Sequence, residues 1–171
     1  DPEYAELKQK MKTRMEEILK EQQDPRMFGN GDIFNEIQDL AKKLNVEYKI
    51  KFFGQVPLEK LSELTSKATI GLSMEESLGL NSTYSLPNKF LDYIQAGLPV
   101  IVSDIPELKK ITEKYSIGVV LKDRTSLNLA KEVQELLNDK NQYAIFRKNT
   151  ENAAKELCWE NYEDLLLKMY V

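Results

Sequence analysis

The stretch from Ser85 to Asp104, SLPNKFLDYIQAGLPVIVSD, constrains the fold more than any other part of the chain. Ser85 can cap a helix whose first turn accommodates Pro87, and the unpaired backbone N–H groups at such a helix start attract anions. Lys89 adds positive charge there, and Asp92, one helical turn later, can accept hydrogen bonds from two hydroxyl groups. The segment therefore predicts either an anion site with a hydroxyl-binding carboxylate or an ordinary helix–turn–strand unit.

Strand-like and helix-like segments alternate along the rest of the chain. Such alternation implies a parallel sheet that binds ligands at the carboxyl ends of its strands. The predicted fold class is therefore α/β, a Rossmann-like parallel sheet with helices on both faces. Strands are predicted at 26–28, 48–53, 69–72, 99–102 and 118–121, and helices at 2–23, 33–44, from 57 onward, from the Ser85 cap to a stop at Gly97, from the Asp104 cap to about 115, 127–137, 141–157 and 160–170.

Glycines and capping residues mark the ends of several of these elements. Gly29 and Gly31 precede the helix at 33–44, and Gly54 follows the strand at 48–53, so bare backbone there could lie against a phosphate or a nucleobase. A plain left-handed turn at the first two glycines is an equal alternative. Asp104 and Glu107 have the spacing of a capping box and predict the start of the helix that follows.

Composition limits the chemistry that the chain can perform. Its 171 residues predict a single domain over 1–171, closed by helices at 141–171. The net charge of −4 argues against nucleic acid as a partner, because nucleic-acid binding requires a basic surface. No apolar run reaches the ~20 residues of a transmembrane helix. The absence of histidine excludes Ser–His and Cys–His pairs and, with Cys158 the single cysteine, argues against a zinc site. We therefore expect no metal and no required cofactor.

A family resemblance is carried by residues 86–100, LPNKFLDYIQAGLPV. This segment resembles the donor-binding motif of GT-B glycosyltransferases, in particular the bacterial members of family 4 within the glycosyl transferases group 1. The likeness continues from 27 to 170, through FGNGD at 28–32, IKFFGQV at 50–56, ATIGLSMEESLGL at 68–80 and the CWE and LKMY segments of the last helices. The resemblance implies the C-terminal, donor-binding half of a GT-B fold.

The resemblance also implies a binding mode for a nucleoside diphosphate sugar, with UDP or GDP as the nucleotide. The ribose is expected on Asp92 and the base near Gly54, with Gly29 and Gly31 in the glycine turn of the same site. Lys89 and the backbone amides would stabilise the leaving diphosphate. The phosphates are expected at the helix start formed by Ser85, Leu86, Pro87, Asn88 and Lys89.

The chain departs from the family at the acidic residue that faces the transferred sugar. Tyr84 stands at that position, with seven residues between it and Asp92, and we include it among the donor-binding residues. Glu75 and Glu76 could substitute if the loop at 81–84 folds back, although exposed glutamates in a loop often serve solubility alone. The catalytic assignments are therefore Lys89 and Glu76.

The resemblance extends to the parent enzyme. Neither the N-terminal acceptor domain nor the basic residue pair of the first C-terminal strand is recognisable, so we expect a fragment that is inactive alone. The full-length enzyme would transfer a sugar to a glycan or lipid-linked acceptor in polysaccharide synthesis. We expect it in the cytoplasm, with peripheral attachment at the inner face of the membrane left open. A nucleotide-sugar epimerase of GT-B fold and a non-catalytic nucleotide-binding or interaction module are the alternatives.

Overall fold

The computed structural model describes residues 34–54, 56–77 and 79–170. Contacts divide the chain into two compact units, Asp1–Pro57 and Leu58–Val171. The helix predicted at 2–23, the strand predicted at 26–28 and the turn glycines Gly29 and Gly31 lie outside the described residues. A single domain over residues 1–171 stays a prediction.

In the first unit, helix α1 spans Phe34–Lys43 and confirms the helix predicted at 33–44. A 3-10 helix follows at Glu47–Lys49, and residues 50–54 form no strand. The strand predicted at 48–53 is therefore wrong. The aromatic residues there suit a strand, but the backbone N–H groups of Lys49 and Ile50 donate locally, to the carbonyls of Val46 and Glu47, so they join no ladder.

The second unit contains a parallel sheet in the order β1-β2-β3. Its strands are β1 (Gly71–Ser73), β2 (Val100–Ser103) and β3 (Gly118–Leu121). Gly71 lies opposite Val100 in β1–β2 pairing, and Val100 lies opposite Gly118 in β2–β3 pairing. The three strands predicted in this unit are confirmed, with starts displaced by at most two residues.

Helices precede, connect and follow these strands. One of them, the short α3 (Leu80–Tyr84), replaces the loop predicted at 81–84, because the Thr83 N–H donates to the Gly79 carbonyl at 2.9 Å and closes a helical turn. The helices of the second unit are α2 (Leu58–Ser66), α3 (Leu80–Tyr84), α4 (Asn88–Gln95), α5 (Pro106–Tyr115), α6 (Ser126–Asn138), α7 (Lys140–Glu156) and α8 (Glu160–Tyr170).

The central strand β2 is buried along its whole length and separates two apolar clusters. Successive side chains of a strand point to opposite faces, so Val100 and Val102 enter one cluster and Ile101 enters the other. Helices cover both faces of the sheet, as the sequence predicts. The first cluster includes Phe90 and Ile94 of α4, Leu108 of α5 and Ala153 of α7, and the second includes Leu121 of β3 and Leu136 of α6.

The start of α4 differs from the sequence prediction, and its end agrees with it. Pro87 occupies the N-cap position with φ −65° and ψ 136°, and its side chain makes no cap hydrogen bond. The prediction that Ser85 caps α4 is wrong, because the extended conformation of Pro87 delays the helix start and leaves Ser85 two residues ahead of the cap. Gly97 has φ 70°, and the N–H of Leu98 donates to the Tyr93 carbonyl at 3.0 Å, which closes a Schellman turn.

The predicted capping box of α5 is also wrong. Ile105 is the N-cap residue, and its side chain makes no cap hydrogen bond. The Asp104 carboxylate pairs instead with Lys109 at 3.1 Å, and Glu107 lies 3.8 Å from Lys110. Asp104 and Glu107 therefore pair with lysines of α5 and do not accept hydrogen bonds from the backbone N–H groups at its start.

Candidate functional site

The carboxyl edge of the sheet lies at Ser73, Ser103 and Leu121, where β1, β2 and β3 end. Ser73 and Ser103 are buried, and the Ser103 hydroxyl donates to the Ser73 carbonyl at 3.5 Å. The loops that leave this edge carry charged side chains, among them Glu75 after β1 and Arg124 after β3. In parallel sheets this edge brings together residues that are distant in sequence, and it is where ligands bind.

The carboxylate of Glu75 links the loop after β1 to helix α4. Its Oε1 lies 2.7 Å from Lys89 Nζ, and its Oε2 accepts a hydrogen bond of 2.7 Å from the Ser73 hydroxyl. Burial favours a raised pKa for Glu75, but the hydrogen bonds from Lys89 and Ser73 and the charge of Lys89 outweigh it and hold the pKa below its usual 4.5. Glu75 is therefore an ionised counter-charge for Lys89 at neutral pH.

Arg124 reaches the same loop from the other side of β2. Its Nη1 donates to the Glu75 carbonyl at 2.7 Å and lies 3.9 Å from Glu76 Oε1. Two cations, Lys89 and Arg124, thus meet two carboxylates, Glu75 and Glu76, at one edge of the sheet. Such a cluster can exchange its internal ion pairs for contacts with an anionic ligand.

A cleft of about 300 Å³ lies between α2 and α4. Asp92 is exposed and lines it, so its carboxylate is open to a ligand in the cleft. A nucleoside is small enough for this volume, which is at the lower end of ligand pockets. The cleft is lined by Leu58, Leu61, Ser62, Thr65 and Ser66 of α2, by Asp92 and Gln95 of α4, and by Ala96.

The structure brings some of the predicted site residues together. Lys89 and Asp92 both belong to α4, but Lys89 reaches Glu75 at the sheet edge whereas Asp92 lines the cleft. Glu76 is 62% exposed and lies beside Arg124. Tyr84 ends α3 and is 63% exposed, so it is available to a ligand although it carries no carboxylate.

The other predicted residues take different places. Leu86 packs against the apolar cluster that contains Phe90, and Asn88 is the exposed first residue of α4. Gly54 belongs to the first unit and has φ 62°, a conformation that suits glycine. The binding roles of all these residues stay predictions.

Sequence reasoning missed the central position of Glu75 and the part played by Arg124. The two glutamates are adjacent, and the predicted catalytic residue is Glu76, but it is the Glu75 carboxylate that contacts Lys89. Arg124 belongs to no local motif. Its position after the carboxyl end of a predicted parallel strand is the one sequence feature that points to the ligand-binding edge of the sheet.

No group of three or more His, Cys, Asp or Glu side chains among residues 34–54, 56–77 and 79–170 is arranged to hold a metal ion. Within those ranges, none of the helices combines the length and the apolar character that crossing a bilayer requires.

Comparison with known proteins identifies the family. Residues 5–153 match the family described as glycosyl transferases group 1. The chain belongs to this family. An uncharacterized glycosyltransferase of Methanocaldococcus jannaschii is 28% identical to it over 136 residues, which are 78% of this chain and 32% of that protein.

Solved glycosyltransferases share the fold of this group 1 chain. Sucrose-phosphate synthase from Thermosynechococcus elongatus aligns with a TM-score of 0.63 and 22% identity, over 80% of this chain and 33% of that one. WaaG, a glycosyltransferase involved in lipopolysaccharide biosynthesis, aligns with a TM-score of 0.56 and 22% identity, over 71% of this chain and 31% of that one. The recognition of a GT-B group 1 C-terminal domain is confirmed, and the chain spans about a third of the length of these relatives.

Proposed function

We propose that this chain is the donor-binding domain of a glycosyltransferase and that it binds a nucleoside diphosphate sugar, with UDP or GDP as the nucleotide. The observation that carries the proposal is the position of Asp92, an exposed carboxylate that lines a cleft one helical turn after Lys89. Membership of the family described as glycosyl transferases group 1 supports glycosyl transfer as the activity.

The nucleoside would occupy the cleft between α2 and α4. Asp92 would accept hydrogen bonds from the two ribose hydroxyls, which a carboxylate can do with its two oxygens. Leu58 and Leu61, which line the cleft and are exposed by 70% and 40%, offer apolar surface to the base. Covering these side chains would add favourable apolar burial to the polar contact.

The diphosphate would lie at the start of α4. The backbone N–H groups and the dipole of a helix N-terminus favour an anion there. Lys89, in the first turn, would exchange Glu75 for a phosphate oxygen as the bond to the sugar breaks. Positive charge fixed at the point where the leaving group becomes more negative lowers the barrier to transfer.

The acidic loop after β1 would face the transferred sugar. Glu76 is 62% exposed and Glu75 lies next to Lys89, so both carboxylates are close to the proposed diphosphate position. One of them would take the role of the family acid that Tyr84 does not supply. In the whole protein the sugar would pass to a glycan or lipid-linked acceptor in polysaccharide synthesis, and we expect that protein in the cytoplasm.

A calorimetric titration of this chain with UDP, GDP and ADP tests the donor site without an acceptor. We expect one nucleotide to bind, and Asp92→Asn to weaken it by about 1–3 kcal/mol, roughly 5- to 150-fold in Kd, the usual cost of losing hydrogen bonds to a charged group. Glu135→Gln is the matched control, because Glu135 is an exposed carboxylate on α6, which packs on the opposite face of the sheet. Equal affinity of the two variants would overturn the Asp92 assignment.

A non-catalytic nucleotide-binding module is the second candidate, favoured by Tyr84 at the acidic position. The two candidates differ in turnover. A whole protein that binds the nucleotide sugar but releases no nucleotide in the presence or absence of acceptors would favour the module. Release that depends on an acceptor would favour the transferase.

A further inference from the structure

Arg124 makes a contact that spans the carboxyl edge of the sheet. It lies three residues after Leu121, the last residue of β3, and its side chain reaches the loop after β1. Strand β2 lies between these two strands. The contact joins residues 49 positions apart in sequence. It therefore ties together two loops that no local interaction would hold in register.

The two contacts of Arg124 differ in strength. Its Nη1 is 3.9 Å from Glu76 Oε1, and the two side chains are 40% and 62% exposed, so this ion pair contributes little in water. The hydrogen bond to the Glu75 carbonyl is 2.7 Å long and has a charged donor, which makes it the stronger contact. Arg124 thus acts mainly on the backbone of Glu75.

The backbone position of Glu75 determines where its carboxylate reaches. That carboxylate contacts the Ser73 hydroxyl and the Lys89 ammonium, each at 2.7 Å. The side chain of Glu75 is 19% exposed, whereas that of Lys89 is 51% exposed. The more buried partner is the better fixed one, so Glu75 orients Lys89 rather than the reverse.

We propose that Arg124 is a positioning residue: it holds the loop after β1 so that Glu75 keeps the Lys89 ammonium at the sheet edge. The consequence for donor binding rests on the proposed function, in which Lys89 meets the diphosphate, but the positioning itself does not. An arginine suits this role because its guanidinium is planar and always charged, and its Nη1 donates to the Glu75 carbonyl while lying 3.9 Å from the Glu76 carboxylate. A lysine would offer the charge on a flexible stem, without the planar group.

The first test measures the pKa of Glu75 in the full 171-residue chain without ligand. The protein is labelled with ¹³C-glutamate, its carboxyl signals are followed by NMR against pH, and the signal missing in Glu75→Gln is assigned to Glu75. Lys89→Gln removes the ion pair and should raise the pKa toward 4.5. Arg124→Gln should raise it as well, because the carboxylate leaves Lys89 when the loop loosens. Arg147→Gln, which removes an exposed arginine from α7, is the control and should leave it unchanged.

Arg124→Lys separates position from charge. It keeps the positive charge beside the loop, so a raised pKa of Glu75 in this variant supports positioning by the guanidinium. The Arg124 side chain is 40% exposed. If the Arg124→Gln variant does not fold, the Arg124→Lys variant provides the test in its place. A Glu75 pKa that is unchanged in the Arg124 variants, or in Lys89→Gln, overturns the inference.

The second test is a double-mutant cycle on nucleotide affinity, measured by calorimetry with the nucleotide that binds the wild-type chain. If Arg124 acts through Lys89, Arg124→Gln and Lys89→Gln each weaken binding several-fold, and the double variant binds no more weakly than Lys89→Gln. If the two losses multiply, Arg124 contacts the phosphates itself and the positioning role is overturned. If the wild-type chain binds none of the nucleotides, the proposed function fails, and the Glu75 titration still decides the role of Arg124.

Discussion

Replacing Gly118 with alanine tests how closely β2 and β3 approach each other. The new Cβ would lie 1.8 Å from the carbonyl oxygen of Val100 and 2.9 Å from its Cγ2, where an ordinary contact is 3.4–4 Å. Val100 and Ile117 are completely buried, so the strands cannot separate without opening the core. Overpacking costs about 1–3 kcal/mol, and loss of the 3.1 Å hydrogen bond from Val100 to Ile117 adds about 1 kcal/mol. We therefore expect a destabilisation of about 2–4 kcal/mol.

The assay is urea unfolding of both the wild-type chain and Gly118→Ala, followed by circular dichroism. The midpoint should fall at an unchanged slope, because the mutation alters stability and not the surface exposed on unfolding. Gly79→Ala is the control, since a Cβ at Gly79 meets nothing within 4 Å. A Gly118→Ala midpoint equal to that of Gly79→Ala would show that the strands are not packed as closely as the structure has them.

Three further predictions concern stability. Phe90→Ala should cost about 3–5 kcal/mol in the free energy of unfolding by urea, because Phe90 is completely buried in the first apolar cluster. Thr112→Val should stabilise the protein by about 1 kcal/mol and so raise its melting temperature. The reason is that the buried Thr112 hydroxyl has no hydrogen-bond partner among the residues that the structure describes. Glu75→Gln should destabilise the protein most above pH 4.5, because the lowered pKa of Glu75 stabilises the folded state there. That difference from wild type should shrink as the pH falls through the folded-state pKa, as unfolding curves at several pH values would reveal.

Much of the second unit follows from local sequence. The Gly118–Leu121 strand and the Glu160–Tyr170 helix are predicted with their observed bounds, because their apolar periodicity and flanking residues agree. The strand predicted at 48–53 fails because side-chain preference cannot supply a partner strand. Capping was predicted wrongly at Ser85, since a proline nearer the helix takes the cap position itself.

The site is less accessible to sequence reasoning than the fold. Lys89 and Asp92 belong to one sequence motif, but their spacing does not reveal that Lys89 reaches the sheet edge and Asp92 lines a cleft. Nor can a pair of adjacent glutamates indicate which one will meet a cation. That depends on the direction of the loop after β1, which Arg124 holds from a distant segment.

The Lys89–Glu75–Arg124 arrangement has a consequence for how the chain folds. Its members follow β1, begin α4 and follow β3, so they cannot meet until all three strands have paired. Contacts between distant segments form late, because the entropy of closing the intervening chain must be overcome first. Chains that have docked β1 and β2 but not β3 would hold Glu75 without its guanidinium partner. If the chain binds a nucleotide as proposed, such partly folded forms would bind it several-fold more weakly than the native chain.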